Sequence, residues 1–85
     1  MPTPTRLTPE QRRILILQGT VRLSNKSGLF MWTRKDAAKA CSVPTSEETV
    51  KAYFGRMENL RRVTAEHSEA SAGVKRQARD VGLIN

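Results

Sequence analysis

In "TRKDAAKACSVPTSEETVKAYF", residues 33 to 54, a helix can start at Thr33 and another at Thr45 or Ser46, with Val43-Pro44 between them. Thr33 suits an N-cap with Asp36 three residues on, and Thr45 or Ser46 suits another with Glu48 or Thr49 in the matching place. Proline pushes its predecessor out of the helical region, so the first helix, over 34 to 41, stops before Val43-Pro44. Neither helix is long enough to be stable alone. The pair must be braced by further helices, and this limits the chain to a helical bundle more than any other feature.

Upstream, Thr8 is an N-cap, Pro9 suits the first helical position and Gln11 completes a capping box. Ile14, Leu17, Val21 and Leu15 make its apolar stripe, and "SNKSG" ends it with Gly28 as the left-handed residue. Gly19 weakens the middle of this helix by about 1 kcal/mol relative to alanine. "LFMW" has no second strand to pair with, so it reads as a buried connector, with Leu29, Phe30 and Trp32 as core wedges. Val50, Tyr53, Phe54, Met57, Leu60 and Val63 continue the helical spacing, and periodicity leaves open whether Gly55 interrupts them. The expected fold is an all-α bundle of four to five helices.

The chain has 85 residues with 15 Lys and Arg against 8 Asp and Glu, a net charge of +7. So basic a small domain favours a polyanionic partner, nucleic acid or an anionic membrane surface. Residues 1 to 40 hold 8 basic and 2 acidic side chains, whereas the last 21 residues hold 3 of each. The polyanion is therefore expected at the first half of the fold. Cys41 is the only cysteine, which excludes an intrachain disulfide and fits a reducing cytoplasm. No run is apolar enough to span a membrane, and the first residues lack the apolar centre of a signal peptide. With one Cys, one His and no glycine-rich phosphate loop, no enzyme, cofactor or metal site is expected. His67 reads as a surface residue and Cys41 as a small core side chain.

Two short helices joined by a turn and braced by a third form a helix-turn-helix, whose second helix enters the DNA major groove. "DAAKAC" supplies the small face that lets a supporting helix sit close behind it, and Arg34-Lys35 place positive charge at a helix N-terminus. The order of these features over residues 12 to 60 resembles the three-helix DNA-binding domain of TetR-type repressors. An Ile-Leu helix, a glycine, a threonine-capped small-faced helix, a Val-Thr-Tyr-Phe helix and Leu60 follow in that sequence.

The resemblance implies a sequence-specific double-stranded DNA-binding repressor. By position it makes Thr33, Arg34 and Lys35 phosphate contacts and puts Thr49, Lys51 and Tyr53 on the recognition helix. Thr45, Ser46 and Glu47 fall in a turn longer than the family's. It also puts a break at Gly55, with a fresh helix from Arg56. The family's ligand-binding domain is missing, since 25 residues follow Leu60, so no small-molecule inducer is expected. Lys51 can donate to guanine or phosphate, and Glu47 or Glu48 can either accept from cytosine N4 or simply favour the helix dipole.

One helix reads few base pairs, so a homodimer on a palindromic operator is expected; a cooperating regulator at an adjacent site could add to it, though no residue points to one. Residues 1 to 7 would then be a flexible basic arm and 8 to 64 the DNA-binding domain. Residues 65 to 85 would be a dimerisation tail, its contacts made by Leu60, Val63, Val74, Leu83 and Ile84. Arg56, Arg61 and Arg62 read as solvent or dimer-edge charges. The competing reading is an RNA-binding or partner-binding helical adaptor.

Overall fold

The computed structural model describes residues 7–85, so the arm expected over 1 to 7 lies, Leu7 apart, outside the described residues. Five helices follow one another: α1 (Pro9–Ser27), α2 (Arg34–Ala40), α3 (Glu47–Phe54), α4 (Met57–Glu66) and α5 (Ala72–Asp80). They form an all-α bundle in which α1 packs against α2, α4 and α5, and α3 is held between α2 and α4.

Each start has a local cause. Thr8 and Gln11 exchange the two hydrogen bonds of a capping box at 3.1 and 3.0 Å, and Thr33 and Asp36 do the same at α2. Ser46, rather than Thr45, caps α3 by accepting from the Thr49 N–H at 3.2 Å. Gly55, at φ 70°, separates α3 from α4, and Arg56 occupies the N-cap of α4 without a side-chain cap bond. Ser71 caps α5.

The buried face of α1 is Ile16, Leu17, Thr20, Val21 and Ser24. This corrects the expected stripe: Ile14 is 47% exposed, because the helix is turned so that small and hydroxylated residues share its inner face. Gly19 is one of them. A Cβ there would stand 2.9 Å from the Ala40 carbonyl oxygen, so α1 and the end of α2 touch backbone to backbone at this point. Gly28 ends α1 with φ 107° and ψ 155°, a positive φ outside the left-handed helical region expected of it.

Leu29 and Trp32 are buried in the connector, whereas Phe30 and Met31 point outward at 42% and 72% exposure, which corrects Phe30 as a core wedge. The Arg61 guanidinium covers the Phe30 ring at 5.5 Å and that of Trp32 at 5.7 Å. Trp32 donates its indole N–H to Ser24 Oγ at 2.8 Å.

The last helix belongs to the same core, through Val74 and Ala78. Lys75 Nζ donates to the carbonyls of Ala65 and His67 at 2.8 and 2.9 Å, satisfying the end of α4, whose last turn carries no basic residue of its own. Gln77 Oε1 accepts from the Leu29 N–H at 2.8 Å. Asn25 holds the α4–α5 turn from both sides, donating to the Glu69 carbonyl and accepting from the Ser71 N–H. Gly82, at φ 79°, closes α5 with bonds from its N–H to Arg79 and from the Leu83 N–H to Ala78, a Schellman turn that returns Leu83 and Ile84 to the core.

Candidate nucleic-acid interface

α3 buries only Val50 and Phe54. Glu47, Glu48, Lys51 and Ala52 are exposed, and at spacings of one, four and five they form one outward strip. Thr49 and Tyr53 flank it half-buried. Ser46 Oγ and Thr49 Oγ1 lie 2.9 Å apart, so the Thr49 hydroxyl is engaged at its own cap. Tyr53 packs its ring on the core edge, and Lys51 stands free on the outward strip.

Three guanidinium groups from other elements reach the two ends of α3. Arg12 donates to the Pro44 carbonyl at 3.3 Å, just ahead of the helix. Arg13 lies 5.2 Å over the Phe54 ring near its end, a cation–π distance. Arg34 donates to the Gly55 carbonyl at 3.3 Å, and its Nε is buried without a partner. Asn59 adds a bond to the Phe54 carbonyl at 2.7 Å, so the end of α3 is held by α2 and α4 together. Arg34 thus positions α3 as well as carrying charge.

The remaining expected contacts divide. Lys35 is exposed in the first turn of α2. Thr33 donates its hydroxyl to Asp36 Oδ2 at 3.1 Å and also accepts from the Asp36 N–H, so its polar groups serve the cap. Asp36 is held below its ordinary value of 3.8, first by the Thr33 backbone N–H and then by its hydroxyl, with Lys39 and Lys35 adding attraction. Thr45 Oγ1 donates to the Val43 carbonyl inside the connection between α2 and α3. That connection, residues 41 to 46, is longer than the three or four residues usual in a helix-turn-helix.

Arg12 and Arg13 were not singled out as site residues by the sequence. Their place on α1 was legible from the capping box, but their reach to α3 depends on how the two helices cross. Of the expected dimer contacts, Leu60 and Val74 are 1% and 3% exposed and lie in the core of this chain, which removes them from any outer surface. Val63, Leu83 and Ile84 are half-buried against the same core. Arg62 pairs with Asn59, and Arg61 donates to the Trp32 carbonyl at 3.3 Å, an interior role rather than an edge one.

An open groove of about 480 Å³ runs between the start of α4 and the C-terminal turn, lined by Phe54, Arg56, Asn59, Arg62 and Leu83 among others. Among the described residues no helix is long and apolar enough to cross a membrane, and no three His, Cys, Asp or Glu side chains could hold a metal ion. No protein-family model, curated protein or solved structure matches the chain.

Proposed function

We propose that the chain is a sequence-specific double-stranded DNA-binding repressor that presents the outward strip of α3 to the major groove. The observation that carries this reading is the convergence of Arg12, Arg13 and Arg34 on the ends of a helix whose own outer face is free. A helix entering a groove about 12 Å wide passes between two phosphate strands, and cations at its flanks face them. In this reading Lys51 meets base edges or a phosphate, and Lys35 adds charge from α2. Glu47 and Glu48 enter first, where a carboxylate can accept from cytosine N4. The TetR-type order of motifs supports the same assignment, and a homodimer would pair two half-sites.

The two glutamates also support a second reading. They put negative charge at the exposed start of α3, which favours a basic or neutral protein partner over phosphate. Selection from a random duplex pool separates the two. DNA recognition yields an enriched sequence whose advantage over random duplex survives as salt weakens both. Equal binding to single strands and duplex, or no enrichment, would point to the adaptor.

A further inference from the structure

The outermost line of α3 can be drawn from its two buried residues. These are Val50 and Phe54, and Ala52 is two residues from each. At about 100° per residue, Ala52 therefore points directly away from the core. Glu48 lies one turn before it and about 40° aside. Gly55 lies one turn after it, where an added Cβ would meet nothing within 4 Å. All three residues are exposed. Lys51 and Tyr53 stand about 100° to either side of this line, and the Thr49 hydroxyl is engaged by Ser46. The leading ridge of α3 thus offers one carboxylate, one methyl group and bare backbone.

We infer that Glu48 and Ala52 set the sequence preference of α3, selecting a cytosine and a thymine within about two base pairs of each other. This rests on the DNA-binding proposal and specifies what that surface reads. The floor of the major groove presents the acceptors guanine O6 and N7, adenine N7 and thymine O4, all of which repel a carboxylate as the phosphates do. Glu48 is rewarded only where it meets an amino donor. Adenine N6 stands beside an N7 acceptor, whereas cytosine carries no acceptor of its own there, so cytosine N4 suits the carboxylate best. Glu48 therefore weakens binding to most duplexes and restores it at one base. Ala52 has no polar side-chain group, and the apolar feature of that floor is the thymine methyl. The two side chains are about 6 Å apart along the helix axis, against about 3.4 Å per base pair, so they meet neighbouring or next-neighbouring bases. Lys51 and Tyr53, turned towards the walls, are left for phosphates.

The test is selection from a random duplex pool by the full chain and by Glu48→Gln, after which the enriched duplex is remade with deoxyuridine at each thymine in turn. The parent should enrich half-sites with a cytosine and a thymine at that spacing. Glu48→Gln should lose about tenfold of the preference for cytosine, turning towards adenine, and should bind random duplex more tightly than the parent. Deoxyuridine at the contacted thymine removes only the methyl group and should weaken the parent about fourfold. Ala52→Gly should bind the two duplexes alike. The uracil exchange alters the DNA alone, so it is independent of how any variant folds. A site that Glu48→Gln enriches unchanged, or uracil tolerated at every thymine, would overturn this inference and leave DNA binding standing. No enrichment by the parent would overturn both.

Discussion

Thr20 and Thr64 face each other inside the bundle with their hydroxyl oxygens 2.9 Å apart, and each also lies within bonding distance of a carbonyl of its own helix. Two hydroxyl protons serve three contacts, so one threonine donates across to the other helix while its partner donates at home. Thr64→Val removes the link between α1 and α4 and should cost about 1 kcal/mol in urea denaturation. The double variant with Thr20→Val should cost less than the two singles added, because the shared bond is lost once. Asp36 makes a different prediction. Because its folded-state value is lowered, it contributes stability at neutral pH that is lost as pH falls below 3.8. The melting-temperature advantage of the parent over Asp36→Ala should therefore hold from pH 7 to about pH 5 and shrink towards pH 2. Thr33 and Asp36 were legible in the sequence because a cap and its partner sit three residues apart. The Thr20 and Thr64 pair was not, since a buried hydroxyl resembles a surface one until the helices meet.

At the scale of elements, the crossing of α1 and α2 turns on Gly19. Substitution by alanine would add about 1 kcal/mol of helix propensity if the site were open. With a Cβ at 2.9 Å from the Ala40 carbonyl, Gly19→Ala should instead destabilise by about 1 to 3 kcal/mol, measured by denaturant unfolding. A stabilised variant would mean that α2 stands farther from α1. The sequence marked Gly19 as a weakness because propensity counts only the helix it belongs to. Boundaries were better served: Pro9, Val43-Pro44 and Gly55 act on the backbone locally, and α1 to α4 begin or end beside them. Gly55 needed the fold to decide it, since Val50, Phe54, Met57 and Leu60 keep helical spacing across the break. The α3 end is a joint product of Arg34, Asn59 and Gly55, of which Arg34 is distant in sequence. Arg34→Ala should thus loosen α3 as well as weaken duplex binding, with faster amide exchange from Lys51 to Gly55 as the measure that a phosphate contact alone would not move.

At the scale of the whole molecule, α5 is a structural member of the bundle. It brings Val74 and Ala78 to the core, satisfies the end of α4 through Lys75 and holds the connector through Gln77. A chain truncated after Glu66 should therefore lose its cooperative melt, rather than persist as a folded monomer. The tail's helical character was legible, but its partners were not: Val74, Ala78, Val81, Leu83 and Ile84 among polar and charged neighbours read equally well as an outer surface. What the fold leaves outward is a strip on α3 with cations at its flanks. The account's central claim is that the α3 strip enters a DNA groove. The direct measurement is a nitrogen-15 amide spectrum of the full chain titrated with duplex DNA at low salt. The account predicts the largest shifts at residues 46 to 53, with companions at Arg12, Arg13, Arg34 and Lys35. Shifts confined to the connector and α5, with α3 unmoved, would contradict it.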